Sequence, residues 1–443
     1  MRYTRLLIPT LALTFSSLSW AAGNAHFNMA TDAPRSLRES IAVAIKYNSK
    51  TVSTDDFLES LRLSTLAMKA RMYPNGSLYC NKSVTTSHFT YTGTPYDSRA
   101  NSTDCGVSAS MTLYDGGSAL NSYRGAKASY EATKAAYNTT DSLIPNTRGG
   151  LANSVMEYYV EMTRLISTHQ TNDVLLKFLN EFKKVDDTDN LETKITSIKQ
   201  SNQEIVDGLS LLRDSFNHLV TRQPSDNLDT LDQTIASLII PTRAEDAIKI
   251  ALLSGPEVTR RNLNVQMAEY NLKSVKASLG PQVSVYASLD RLNSVDNLNP
   301  TSSYNGTSRT IGIQVSIPIG LSGIYSVDSA AKDLESKEAE KRAAIDDAKF
   351  EIYKTYKSLE NNKRYYLTAA NQLNTQLGKV DEVIQKINAG QTNVINVSDL
   401  LVMINNLQDQ FTSLRGVQVN IISQLYSIQQ VTGILFTEME IVH

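Results

Sequence analysis

The chain has 443 residues, room for two or three ordinary domains, and a formal net charge of −2 at pH 7. So mild a charge argues against nucleic acid as a partner. His26, His88, His169, His218 and His443 are scattered without metal-ligand spacing, and no nucleophile motif or phosphate loop is present, so the residues offer no metal site, no cofactor site and no enzymatic constellation.

Taken in order, residues 1–21 read as a secretory signal peptide. Arg2 and Arg5 form its basic start, Leu6 to Leu18 its apolar run, and Ser19-Trp20-Ala21 its cleavage site. The run is too short for a membrane-spanning helix. Cleavage would take the net charge from −2 to −4 and remove Trp20, the only tryptophan. Residues 22–35 read as a disordered lead-in. Residues 36–72 read as helix, with Leu37, Ile41, Ala44, Leu58, Leu61 and Leu66 on its apolar side, until Pro74-Asn75-Gly76 breaks it. Strands are expected at 77–91 and 106–114, around a polar loop at 92–104. Cys80 and Cys105, the only cysteines, flank that loop. In an exported chain they either staple the hairpin as a disulfide or remain unrelated thiols.

A helical pattern from Ser118 to about Phe182 would be close to 100 Å long at ~1.5 Å per residue. Pro145 and Gly149-Gly150 predict a kink in it. After Asp186, Asp187 and Asp189 comes a second helix. Ile195, Ile198, Ile205, Leu209, Leu212, Phe216 and Leu219 form its coiled-coil seam, with Asn202 as the polar interruption. Residues 221–241 link the halves.

The second half, 242–443, replays the order of the first, 22–220. A helix spans 243–279. Strands follow at 282–289 and 311–319, around a polar loop at 290–308. Ile311, Ile313, Val315, Ile317 and Ile319 alternate, the period of a strand with one apolar face. A long helix runs from about Tyr325 to Asn388, a turn follows at Gly390, and a last helix spans 397–436. Leu400, Ile404, Leu407, Phe411, Leu414, Ile421, Leu425, Ile428 and Leu435 hold that helix in heptad register. The two halves keep nearly the same offset: Leu113 and Ile319 are 206 positions apart, and Pro74 and Pro281 are 207 apart. The chain reads as an internal two-fold repeat.

Strands of about 9 to 11 residues suit a tilted membrane strand. Four of them cannot close a barrel, and open edges cannot face lipid, so copies must pool their strands. Two copies would give eight strands, whose interior side chains fill, whereas three would give twelve and leave a lumen. The fold expected is mainly α with a small β part: a long coiled-coil α-helical barrel joined to a 12-stranded transmembrane β-barrel formed by three chains, four strands from each. Tyr79, Tyr91, Tyr96, Tyr114, Tyr286, Tyr304 and Tyr325, in or beside the strands, are candidates for aromatic belts at the membrane interfaces.

The doubled order, with Leu113-Tyr-Asp-Gly-Gly117, Ala277-Ser-Leu-Gly-Pro-Gln-Val283, Val315-Ser-Ile-Pro-Ile319, Gly390 and Val397-Ser-Asp-Leu-Leu401, resembles the TolC-like outer-membrane efflux proteins over nearly all of the mature chain. The resemblance implies a homotrimeric duct in the outer-membrane lipid that extends into the periplasm. It would dock with a periplasmic adaptor (membrane fusion) protein and an inner-membrane transporter, and export drugs or, in type I secretion, polypeptides. In that family, carboxylates at the turn before the last helix ring the periplasmic gate. The matching positions are Asn396, usually acidic in the best-known members, and Asp399. Thr392 stands where the family carries a gate-locking arginine. At the other helix turn the sequence offers Asp186, Asp187, Asp189 and Glu192. Pooled over three copies these acids would favour cations; equally, they suit a solvated helix start. The competing function is a secreted coiled-coil structural or surface-adhesion protein, whose strands would pack onto a soluble domain.

Overall fold

A computed structural model describes residues 37–91, 94–139, 147–183, 189–220, 240–296, 304–389 and 396–435. The expected signal peptide, Pro145, Asp186, Asp187, Thr392 and nearly all of the 221–241 linker lie outside them. The described chain is mainly helical with one small sheet. Its elements are α1 (Leu37–Tyr47), α2 (Ser49–Ala70), β1 (Asn75–Tyr91), β2 (Thr94–Tyr114), α3 (Ser118–Ala136), α4 (Arg148–Lys183), α5 (Asp189–Leu219), α6 (Ala244–Ser254), α7 (Pro256–Ser278), β3 (Gln282–Asp296), β4 (Tyr304–Ser316), α8 (Leu321–Asn388) and α9 (Val397–Thr432).

The strands form one antiparallel sheet in the order β1-β2-β3-β4, with β1 and β4 as its two edges. They are longer than the sequence pattern suggests. β2 runs through most of the expected loop at 92–104 and reaches 21 residues, and β3 and β4 both extend into the expected loop at 290–308. These added segments are rich in Ser, Thr, Asn and Asp. Pairing needs backbone groups rather than apolar side chains, so a strand that is polar on both faces shows no hydrophobic period. In the other direction β4 ends at Ser316, short of the expected Ile319. Pro318 has no N–H to donate to a ladder.

Two expected helices are each divided. Asn48 separates α1 from α2; its Oδ1 accepts from the N–H of Lys50 at 3.0 Å, a helix N-cap. Its Nδ2 donates to the carbonyl of Leu219 at 2.9 Å and so ties the joint to the end of α5. Gly255 separates α6 from α7, with Pro256 in the first turn of α7. A Cβ at Gly255 would overlap the Ala251 carbonyl and stand 2.8 Å from that of Val431, so the bend depends on glycine. The kink expected in the first long helix is a full interruption between Ala136 and Arg148, whereas α8 is continuous over 68 residues, about 100 Å.

Turns at the base of the sheet start the long helices. Gly116 and Gly117 have φ of 66° and 87°, left-handed values open to glycine. Behind them the Asp115 carboxylate caps α3, accepting from Gly117 N–H at 2.9 Å and Ala119 N–H at 2.7 Å. α3 then packs on α7, with α2 against α3 and α7 against α8. The contact surfaces are small: Gly125, Ala128, Ala132 and Ala136 on α3, and Ala268 and Ser274 on α7. The Ser274 hydroxyl lies 3.1 Å from that of Ser118 and 2.8 Å from that of Ser122.

Two apolar clusters hold the helical body. The central one joins α1, α4, the end of α5, α6, the middle of α8 and the end of α9 around Ile41, Val155, Phe216, Ala247, Ile352 and Tyr426. The second joins the four helix ends farthest from the sheet: the end of α4, the start of α5, the end of α8 and the start of α9. The seam residues expected on α9 are buried or half-buried in these clusters. So are those expected on α5 except Ile205, which is buried outside both clusters. Its polar interruption, Asn202, donates to the Asp173 carboxylate of α4 at 3.1 Å.

Candidate functional site

The sheet has two chemically different faces. Directly opposed residues share a face, and the face alternates along each strand. One face carries Leu78, Val107, Ala109, Met111, Val283, Val285, Ala287, Leu289, Ile311, Ile313 and Val315 in register. No other described element covers it: Leu78 is 76% exposed, Ile311 85% and Ile313 71%. The opposite face is built mostly of Ser, Thr, Asn, Gln, Gly and Tyr, with Asp104 and Asp290 and with Leu292 as an apolar exception. An apolar outer face, a polar inner face and two unpaired edges are what a segment of a membrane barrel presents before closure.

On the polar face the tyrosines sit over glycines. The Tyr79 hydroxyl of β1 donates to the Asp290 carboxylate of β3, reaching across β2 at Gly106. A Cβ at Gly106 would overlap Asp290 Oδ1 and come within 2.9 Å of Tyr79 Oη. Ser288 completes the group, its hydroxyl donating to Asp290 Oδ2 at 2.8 Å. The Tyr286 ring covers Gly312, and the Tyr304 ring covers Gly306. For Tyr79, Tyr286 and Tyr304 the expectation of an outward aromatic belt is therefore corrected: they face the polar side, where a glycine leaves room for the ring. Tyr79 and Tyr286 pair with Gly106 and Gly312 on the neighbouring strands, and Tyr304 lies two residues before Gly306 on β4 itself. Tyr114 and Tyr325 are exposed, at 55% and 70%.

Cys80 and Cys105 are directly opposed on β1 and β2 and joined in a disulfide. The bridge lies at the upper end of the apolar band, not at the mouth of a loop, because the strands continue past it by 11 residues on each side to Tyr91 and Thr94.

At the far end of the molecule two helix starts meet. Asp189 opens α5 and Glu192 stands in its first turn, 3.7 Å from Lys183 Nζ of α4. Asn396 is the N-cap of α9, its side chain accepting from Ser398 N–H at 2.9 Å, and Asp399 is exposed in the first turn. Lys194 of α5 donates to Gln408 of α9 at 3.2 Å, and both helix starts share one apolar cluster. The structure thus brings Asp189 and Glu192 to the same end of the bundle as Asn396 and Asp399. Acids favour the positive end of a helix dipole, so the same positions also suit helix starts on their own. Between this end and the centre, Arg415 of α9 is half-buried, and burial lowers its pKa to about 10.

No group of three or more potential metal ligands occurs among the described residues. No described helix is long and apolar enough to cross a membrane. No protein-family profile matches the sequence, and no curated protein does. Solved structures do. The chain is similar to the outer membrane protein VceC from Vibrio cholerae at 15% identity and a TM-score of 0.67, covering 90% of this chain and 96% of that one. It is similar to the CmeC outer membrane channel of Campylobacter jejuni at 12% identity and a TM-score of 0.69, covering 90% and 85%. It is similar to the open-state MtrE outer membrane channel of Neisseria gonorrhoeae at 15% identity and a TM-score of 0.67, covering 90% and 89%. The chain has the fold of these outer-membrane channels.

Proposed function

We propose that this chain is a TolC-like channel of the bacterial outer membrane, without catalytic chemistry of its own. In this reading it works as a homotrimer that takes drugs or secreted polypeptides from a periplasmic adaptor and an inner-membrane transporter to the exterior. The observation that carries the reading is the four-stranded sheet with one uncovered apolar face and two free edges. A soluble domain would bury that face. Three copies would turn it to lipid, pair every edge and make twelve strands around a polar lumen. The helices support the same arrangement. α8 leaves Phe350, Tyr353, Tyr365 and Leu367 exposed at 60–67%, surface that neighbouring copies would cover.

The chain divides, on this proposal, into a signal peptide at 1–21 and two repeats, 22–220 and 242–443, joined by 221–241. The gate is the end of the bundle where α5 and α9 start. Asp189, Glu192 and Asp399 would ring it with carboxylates, joined by Asp186 and Asp187, which precede α5 in the sequence, while Asn396 supplies a neutral cap and Thr392 no cationic lock. The test is the mass of the protein extracted from outer membranes in mild detergent, corrected for bound detergent, together with conductance in planar bilayers. Three chains and a conducting pore are expected. A water-soluble monomer would end the reading in favour of a secreted coiled-coil protein.

A further inference from the structure

Just above the apolar band, the same face of the sheet carries three exposed cations, Arg309 on β4, Arg291 on β3 and Lys82 on β1. None has an ion-pair or hydrogen-bond partner among the described residues. Their register is informative. Arg309 shares a row with Leu289, Val107 and Leu78, the last row of the continuous apolar band; Val84 and Val295 stand singly on the same face three rows higher. Arg291 stands one same-face row higher, beside Cys105, and Lys82 one row higher again, beside Thr103. The cations therefore climb the sheet diagonally from edge to edge. With strands about 4.8 Å apart and a rise of about 3.4 Å per residue, that diagonal makes an angle of roughly 43° with the direction across the strands. Strands of membrane barrels tilt by about 35–45°, so a line at this slope runs level around a closed barrel. The continuous apolar band ends on the same slope between these two strands, at Ile311 on β4 and Leu289 on β3, with Val295 and Val84 as single apolar residues above it.

The two faces also divide their charges. On the apolar face the described charged groups are Lys82, Arg99, Arg291, Arg309 and the pair His88–Asp97. On the polar face they are Asp104 and Asp290, both acidic. Apart from the His88–Asp97 pair, the described charges on the two faces are opposite in sign.

We propose that Lys82, Arg291 and Arg309 form a level cationic rim at the headgroup boundary of the apolar band, and that it binds the phosphates of an anionic outer-leaflet glycolipid. This rests on the channel reading, which turns the apolar face to lipid. The chemistry fits on both sides of the boundary: acyl chains lie on Ile311, Leu289 and Leu78, and long basic side chains reach the headgroup phosphates directly above them. Three copies would place nine such cations around the barrel.

The experiment uses the full-length trimer in detergent with added lipid A, or lipid A stripped of both phosphates, and counts retained lipids by native mass spectrometry. The variants are Lys82→Gln, Arg291→Gln and Arg309→Gln, singly and together, with Arg291→Lys/Arg309→Lys preserving charge. Retention of phosphorylated lipid A should fall by roughly fivefold for each charge removed. It should stay near wild type in the lysine variant. Dephosphorylated lipid should be held equally weakly by wild type and triple variant, and equimolar inorganic phosphate should not displace the phosphorylated lipid. Equal retention of phosphorylated lipid by a conducting triple variant would overturn the rim and leave the channel reading intact, as would displacement by inorganic phosphate. A wild-type chain that never conducts in bilayers would remove the channel reading and the rim with it.

Discussion

The two ends of the molecule treat apolar side chains in opposite ways. At the helix ends Leu179, Val380, Ile404 and Leu407 are fully buried, at 0% exposure, in a core shared by α4, α5, α8 and α9. In the sheet Ile311, Ile313 and Val315 are equally apolar yet stand 63–85% exposed. Water drives the first arrangement, since each buried aliphatic side chain gains about 1.5–3 kcal/mol over exposure. On the channel reading proposed above, the second faces lipid rather than water. That reading has one chain written for two solvents, with the change of solvent at the change from helix to strand.

Reversing the polarity of the exposed face is the strongest way to break this contrast. Ile313→Arg should cost about 2–4 kcal/mol if the side chain faces the bilayer midplane. The mutant protein should leave the outer-membrane fraction, while Gln314→Arg, one residue on and on the polar face, should keep it there. Sucrose-gradient fractionation compares them, and equal behaviour would deny the sheet its two faces. A comparable loss is expected at the other end. Leu407→Ala should destabilise by about 2–5 kcal/mol, read as a lower thermal midpoint of the helical circular dichroism signal.

Within the sheet, the Tyr79–Gly106–Asp290 contact makes a polar face as specific as a core. Gly106→Ala should cost about 1–3 kcal/mol through overpacking. Tyr79→Ala in the same chain should restore part of it, a non-additivity that thermal melts of the single and double mutants would reveal. At the tip, Asn396→Ala should cost about 1 kcal/mol with the lost cap, whereas Asn396→Asp should not. Denaturant titration separates the pair, and loss of stability in both would mean the cap is not what Asn396 contributes.

The smallest effect concerns pH. Tyr356 donates its hydroxyl to the Pro241 carbonyl at 2.6 Å, and burial pushes its pKa up to about 12. The folded state holds this proton more tightly than the unfolded state, whose tyrosine titrates near 10. Its contribution is complete below pH 10 and declines as pH rises from about 10 towards 12. Tyr356→Phe should remove part of the alkaline destabilisation of the wild type in that window, and identical pH–stability curves would show that the phenol ionises freely in the folded protein.

Much of the fold is legible in the residues alone. The alternation from Ile311 to Val315 marks a strand because side chains alternate faces, and the heptads from Leu400 to Leu435 mark a helix because one stripe must face a partner. The mainly helical fold with a small sheet follows from those two periods. The candidate site is legible in part. Asp399 and Glu192 can be assigned to helix starts by their place in the pattern, but nothing local says that the two starts meet. Gly149-Gly150 signals a kink, although the chain there opens into a full break between α3 and α4.

By itself the sequence determined the type of each long element and the side of it that is apolar, because period and hydrophobicity are local properties. Only the tertiary structure decided how far the strands run, which residues oppose one another, and which side chains meet. β2 continues through Asn101, Ser102 and Thr103 because β1 and β3 satisfy its backbone on either side. Tyr79 reaches Asp290 because register places Gly106 between them. Arg309, Arg291 and Lys82 are far apart in the chain and form one line only in that register. Pairing across strands is a long-range choice made by backbone hydrogen bonds, and those bonds leave no periodic mark on the residues they join.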